Sequence, residues 1–394
     1  MDLSIQQGDL VFAVARALGS VPQKSAQPLL NCFLLEAEQN SLRITGTDLD
    51  LTTSVSVPCT GKAPGRIAVA AKHFNEVVRK MPRGGVTMKL EKNQLEVTYG
   101  DGRGVSRFPV QKSDEFPTPP SFRDGTKVTM PGETLARLVD RTSYAVSEET
   151  TRQSLNGVFV HGSAQGIAFV ATDGHRLARA TCRTVTSDLN RDGVIVPARA
   201  LANMSRVASD ATSPVEFTVS ENRSHASFTA QVGEYRVQVT ARLLEGPYPN
   251  YEQVIPKDNV RLLTVTRSDL MDAVDIMSSH ADSNTQQVRF SVSEGGLEVS
   301  SATADYGSGS QRIEAEYKGE GMEIGYNARY LLQTLRNIPT EKVVFKLKTA
   351  LSAGIVEPVG ALPQADEELL CLVMPLRLPD NAPTAETVKA GARG

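Results

Sequence analysis

The strongest constraint on this chain is a repeat with a period the size of a domain. The segments RIAVAAKHFNEVVRKMP (66–82), GVIVPARALANMSRVAS (193–209) and EIGYNARYLLQTLRNIP (323–339) share one plan: a short apolar run, a polar corner, then an amphipathic helix. A base stands at Lys72, Arg199 and Arg329, in steps of 127 and 130, and a second at Arg79, Arg206 and Arg336 in the same steps. Seven residues are two helical turns, so each helix carries both cations on one face. Solenoid repeats run 20–50 residues, whereas this period is that of a whole domain.

Three further markers recur in the same order. An apolar strand ends near Thr-Asp or Ala-Asp at Thr47, Thr172 and Thr303. An opening helix starts at Gly8-Asp9-Leu10, Glu133-Thr134-Leu135 and Ser268-Asp269-Leu270, with apolar residues at helical spacing (Leu10, Ala13, Val14, Ala17; Leu270, Ala273, Val274, Met277). Phe116-Pro117, Tyr248-Pro249 and Met374-Pro375 close the three thirds. The expectation is an α+β chain of three tandem similar domains at 1–122, 126–256 and 257–378. Each domain should read helix, hairpin strands, helix, more strands, closing strand. Residues 112–127, rich in Pro and Asp, read as the end of the first domain plus a linker, and 244–259 play the same part between the second and third; Gly307–Ser310 reads as a flexible loop and 379–394 as a disordered tail.

Charge matters here by its distribution. The chain has a net charge of −3, yet the three matched helices, expected at 72–81, 198–207 and 328–337, carry Lys72, Arg79, Lys80, Arg199, Arg206, Arg329 and Arg336 against one acid, Glu76. A single such helix would be an ordinary solvated face; three in matched register point to a held polyanion. Helix 268–279, with Asp269, Asp272 and Asp275, is the counterexample. A hydrophobic content of 40% and no apolar run near 20 residues describe a globular chain without a membrane span. The start MDLSIQQGDL lacks a basic and an apolar region, so no secretory signal is expected. Cys32, Cys59, Cys182 and Cys371 are far apart and read as buried free thiols in a reducing cytoplasm.

Signals of catalysis are weak. There is no phosphate-binding GxxxxGK[ST] loop, no GxGxxG opening a helix, no HExxH and no GxSxG, and the five histidines have no metal-ligand spacing. Asp48-Leu49-Asp50 has the DxD form of some transferases, but it falls at a repeated strand end, where a turn-capping aspartate is the simpler role. Asp173 and His175 lack an activated nucleophile nearby, so no catalytic residue, metal or cofactor is expected.

QPLLNCFLLEA (27–37), TGTDLDL (45–51), LNGVFV (155–160), ATDGHRLA (171–178), EGPYPNYEQVIP (245–256), GYNARYLLQTL (325–335) and LVMPLRL (372–378) together resemble the bacterial sliding clamps, the beta subunits of DNA polymerase III. The resemblance covers residues 1–378. It implies two chains joined head to tail in a ring, helices lining a central hole and antiparallel sheets outside, sliding on duplex DNA in the cytoplasm without sequence readout. The implied partners are the polymerase III catalytic subunit, the clamp loader, and other polymerases and mismatch-repair proteins bearing Gln-Leu-x-Leu-Phe-like motifs. On this basis Lys24, Arg137 and Arg141 join the helix cations as candidates to face DNA. The resemblance also implies a peptide pocket at Leu155, Thr172, Gly174, His175, Arg176, Leu177, Pro249, Gln253, Val254, Asn327, Tyr330, Leu351, Val373, Met374, Pro375, Leu376 and Arg377. Of these, Leu155, Leu177 and Val373 would serve equally as plain core. The chain departs from relatives in having Gln253 and Thr285 at the pocket rim, Ser279, His280 and the non-acidic Gly307–Gln311 at the dimer edge, and residues beyond Leu378. Two rival readings make different predictions: a DxD transferase would need Asp48 for metal-dependent activity, and a clamp-derived scaffold would be monomeric.

Overall fold

A computed structural model describes residues 1–117, 125–163, 165–189 and 192–378. The expected tail at 379–394 and the middle of the first expected linker lie outside those residues. The chain forms two compact units, Met1–Val139 with Val185–Glu245, and Asp140–Thr184 with 246–378.

Among the described residues six α-helices follow the repeat: α1 (Gln7–Ala17), α2 (Ala71–Lys80), α3 (Gly132–Ser143), α4 (Ala198–Ser209), α5 (Arg267–Ser278) and α6 (Ala328–Arg336). The even-numbered helices each begin at an alanine directly after a strand, so the first cation is always the second helical residue and the partner cation lies two turns on. Their apolar faces are buried through Phe74 and Val78, Leu201 and Met204, and Leu331 and Leu335. The opening helices α1 and α5 bury the periodic residues expected of them, including Leu10, Val14, Leu270 and Val274. A short strand that the periodicity did not reveal precedes each opening helix: Asp2–Gln6, Gly125–Met130 and Arg261–Thr266.

In the first unit thirteen strands form one sheet, and its repeats are joined where Leu51–Pro58 pairs antiparallel with Tyr235–Arg242, Thr53 opposite Val239. The second unit repeats the device. Arg176–Cys182 pairs antiparallel with Glu367–Val373, Arg176 opposite Val373, and the sheet continues through Gly354–Pro358, Lys342–Leu347 and Arg261–Thr266. A separate four-stranded sheet runs Gly307–Ile313, Gly296–Thr303, Gln287–Ser293, Met322–Asn327.

Two expectations are corrected, those for 307–310 and for Cys59. The Gly-Ser run at 307–310 is the start of an edge strand, paired residue by residue with Gly296–Thr303. Its glycine answers a close approach: a Cβ on Gly309 would lie 2.9 Å from His280 Cδ2. Within 244–259 the part expected to end the second domain is firmly anchored. Tyr248, Tyr251 and Ile255 pack with Val170, Leu177 and Leu372, and Tyr251 Oη lies 2.9 Å from His161 Nε2. Aromatic anchors fix it where its prolines alone signal a loop. Of the four thiols, Cys32, Cys182 and Cys371 are buried, but Cys59 is half-exposed.

Candidate functional site

The Thr-Asp strand ends are capped turns. The threonine hydroxyl accepts from a backbone N–H beyond it: Leu49 to Thr47, Gly174 to Thr172 and Tyr306 to Thr303, each at 3.1 Å. Asp48 Oδ1 accepts from Leu51 N at 2.8 Å, and Asp173 Oδ1 from His175 N at 2.9 Å and Arg176 N at 3.0 Å. These are Asx-type turns, which accounts for the DxD pattern without a metal. Among the described residues no group of three His, Cys, Asp or Glu is placed to hold a metal.

The helix cations divide into two kinds. The first of each pair has a partner, close for Lys72 and Arg199 and loose for Arg329. Lys72 Nζ donates to Gln23 O at 2.6 Å, Arg199 pairs with Asp48 and donates to Gly19 O at 3.0 Å, and Arg329 lies 3.9 Å from Glu148. The second of each pair, Arg79, Arg206 and Arg336, is exposed in the last turn, where a cation complements the helix dipole. Lys24 is exposed before the 3-10 turn Pro28–Asn31, and Lys80 pairs with Glu76 at 2.6 Å.

Arg141 departs from its expected exposed role. Its side chain is 7% exposed and paired with Glu367, which is 1% exposed, and its Nη2 donates to Gln364 at 3.2 Å. A buried guanidinium held by a buried carboxylate cannot reach a backbone phosphate. Arg137 is half-buried, 3.6 Å from Glu133, and donates to Thr134 Oγ1 at 3.1 Å.

The pocket residues belong to the second unit, and sheet pairing assembles them. Because Arg176 sits opposite Val373, the turn Asp173–His175 lies beside the segment Met374–Leu378, and Met374 N donates to His175 O at 2.8 Å. Leu376 N donates to Gly325 O at 2.8 Å, and Gln287 Nε2 to Arg377 O at 2.8 Å, which holds the closing segment against the strand Met322–Asn327 and its neighbour. Asn327 caps α6 by accepting from Tyr330 N at 3.1 Å. The apolar floor is the cluster of Val170, Leu177, Tyr251 and Leu372, against which Ala353 and Ile255 also pack. Around it Val254, Leu351 and Met374 are 57%, 62% and 39% exposed, a large apolar exposure for short turns. Pro249, Gln253 and His175 are also exposed, and Thr172, Tyr330, Pro375 and Leu376 half-buried. Leu155, Leu177 and Val373 are core.

Arg176 is not a surface group. Its side chain is 6% exposed; Nε donates to Asp173 Oδ2 at 3.0 Å, Nη2 to Tyr144 O at 2.6 Å, and Nη1 to Gln333. Its guanidinium lies over Tyr330, 4.6 Å from the ring centroid, and His175 is 6.1 Å from the same ring. Burial, ahead of nearby Asp173, pushes the Tyr330 phenol up, so it is a neutral donor at physiological pH. Tyr144 and Gln333, which complete this network, carry no sequence signal of their own.

Three repeats of one helix-and-sheet plan, with matched basic helices and an apolar turn cluster, define a clamp-type binding protein. Family models of the DNA polymerase III beta subunit match in order: the N-terminal domain at residues 1–120, the central domain at 129–250 and the C-terminal domain at 252–377. The beta sliding clamp of Caulobacter vibrioides is 30% identical over 96% of this chain and its own full length, and that of Synechocystis is 31% identical with the same coverage. A crystal structure of the Bartonella birtlesii sliding clamp bound to griselimycin superposes with a TM-score of 0.89 at 27% identity, covering 96% of this chain and 100% of that one. The chain belongs to the beta sliding clamp family, the beta subunit of DNA polymerase III. It is a non-enzymatic processivity factor of DNA replication.

Proposed function

We propose that this clamp is organised as three domains, 1–122, 126–256 and 257–378, and closes head to tail with a second copy into a ring around duplex DNA. The support is an incomplete repetition. Leu51–Pro58 and Arg176–Cys182, the strands after the first two capped turns, each pair with a closing strand of the next repeat. Their third counterpart, Gly307–Ile313, is a sheet edge. At the chain's other end, Gly104–Gln111 pairs along Gln94–Tyr99 on one side, while on its other side Val110 and Gln111 alone have partners among the described residues. Two open edges of matched type are a template for pairing between copies.

In the ring the basic helices face DNA. Arg79, Arg206 and Arg336 supply the mobile phosphate contacts; Lys72, Arg199, Arg329, Lys24 and Lys80 add a diffuse field, with Arg137 at its margin. Phosphate contacts carry no sequence information, which suits sliding. The pocket takes peptides of the Gln-Leu-x-Leu-Phe kind from the polymerase catalytic subunit, the clamp loader, other polymerases and mismatch-repair proteins in the cytoplasm. Val254, Leu351, Met374, Pro375 and Leu376 receive the leucine and phenylalanine, and Met374 adapts to different ligands. Thr172, Gly174, His175, Asn327 and Arg377 present polar groups at the rim, with Pro249 and Gln253. The exposed apolar turns around the buried floor carry this assignment.

The experiment is fluorescence anisotropy of a labelled Gln-Leu-Ser-Leu-Phe peptide titrated with the protein, beside Met374→Ala/Pro375→Ala. Saturable binding that the double variant weakens by about tenfold or more supports the pocket, as loss of central anchors costs 2 kcal/mol or so. No saturable binding by the unmodified protein would refute it.

A further inference from the structure

The aspartates of the first two capped turns put their two oxygens to different use, and the turn itself needs only one. Asp48 Oδ1 accepts from Leu51 N at 2.8 Å, and Asp173 Oδ1 accepts from His175 N and Arg176 N. An asparagine caps such a turn as well as an aspartate, so the cap does not account for the negative charge. The second oxygen does. Asp173 Oδ2 accepts from Arg176 Nε at 3.0 Å, behind the pocket. Asp48 Oδ2 instead pairs with Arg199, the first cation of α4, whose Nη2 also donates to Gly19 O at 3.0 Å.

The three matched cations thus form a graded series. On Arg199, which is 54% exposed, the partner is a fixed carboxylate only 13% exposed. Because Asp173 is engaged by Arg176, the matching cation of α6 receives no turn aspartate. Arg329 has Glu148 instead, 3.9 Å away and 89% exposed. The matching cation of α2, Lys72, meets a neutral acceptor, Gln23 O, at 2.6 Å. The negative charge of Asp48 is therefore spent on a helix cation that would otherwise be free to take an external anion.

We propose that Asp48, and more weakly Glu148, are resident anions: they occupy the first cations of α4 and α6 in place of a DNA phosphate and keep the hold on duplex weak, as sliding requires. The proposal rests on the ring reading above. To contact a phosphate, Arg199 must leave one charge-assisted hydrogen bond for another, an exchange with little net gain. Its energy then varies little as successive phosphates pass. An unpaired arginine would gain the whole contact and have to lose it again at each step. The acids are positioning residues, since they act on DNA only through the arginines they hold.

The test is the affinity of the full chain for a short fluorescent duplex, measured by anisotropy across salt concentration. The variants are Asp48→Asn, which keeps the cap, Glu148→Gln, and Asp48→Asn combined with Arg199→Ala beside Arg199→Ala alone. Asp48→Asn should tighten binding by about fivefold at low salt and steepen the slope of log affinity against log salt by about one, because the freed arginine neutralises one more phosphate. Glu148→Gln should tighten it by about twofold. Without Arg199, Asp48→Asn should change the affinity by less than about twofold, which a mere shift in net charge does not predict. Unchanged binding in Asp48→Asn, or a gain of equal size without Arg199, overturns the proposal and leaves the ring reading standing. Should Asp48→Asn fail to fold, Glu148→Gln on its exposed loop decides, unchanged affinity counting against the proposal. Absence of salt-dependent duplex binding by the unmodified protein overturns the ring reading and this proposal with it.

Discussion

The capped turn at 47–51 and the one at 172–176 have nearly the same backbone and serve different ends. Both start from a threonine that accepts a backbone N–H two residues on, and both place the second residue after it at positive φ, Leu49 at 83° and Gly174 at 89°. The following strand then opens with Leu51 in the first and Arg176 in the second, each buried, 4% and 6% exposed. Leu51 contributes a side chain to an apolar core. Arg176 instead binds Asp173, the Tyr144 carbonyl and Gln333 together, and so fixes α6, the end of α3 and the His175 turn at one point. One residue type at a repeated position separates a sheet corner from a preorganised binding rim.

The largest effect should come from breaking that arginine. Arg176→Ala leaves the largely buried Asp173 carboxylate without its cation, and should cost about 3 kcal/mol in urea denaturation and abolish peptide binding. In the Asp173→Ala/Arg176→Ala double variant the loss should be clearly less than the sum of the single losses. Additive losses would mean that the two side chains do not act as a pair. Leu51→Ala in the first turn should cost about 2–3 kcal/mol through its cavity while peptide affinity stays unchanged, which sharpens the contrast between stability and binding.

A smaller effect separates the two turn backbones. Leu49→Gly should stabilise the protein by about 1 kcal/mol, because leucine is strained at positive φ. Gly174→Ala should cost a similar amount, for its new Cβ meets nothing closer than Arg152 Nη1 at 3.5 Å and the penalty is conformational. Chemical denaturation of both variants decides this; equal signs would show that the turns are not equivalent. Among the cations, Arg206→Ala should lower the slope of log affinity for duplex DNA against log salt by about one, and tethered Arg199→Ala by less.

The smallest expected effect is a pH dependence in the first unit. Burial, then Arg242, lowers the His225 pKa from its ordinary 6.5. The folded state therefore binds its proton less readily than the unfolded chain. Its contribution to stability is complete above the ordinary value and declines as pH falls toward the lower folded one. His225→Gln should flatten that part of the stability profile.

By itself the sequence determined the threefold repeat, the register of Lys72, Arg199 and Arg329, the capped turns and the opening-helix faces. These follow from local spacing: seven residues are two turns wherever a helix forms, and Thr-Asp caps a turn through bonds two and three residues away. Tertiary structure alone decided what depends on partners distant in sequence. Arg141 reads as one more helix cation until Glu367, in a strand more than 200 residues on, buries it. Gly307–Ser310 reads as flexible until Gly296–Thr303 pairs with it and His280 leaves no room for a Cβ. Tyr144 and Gln333 gain their role when Arg176 reaches both. Sequence spacing records chain geometry, whereas burial and charge pairing are set by neighbours that only folding supplies.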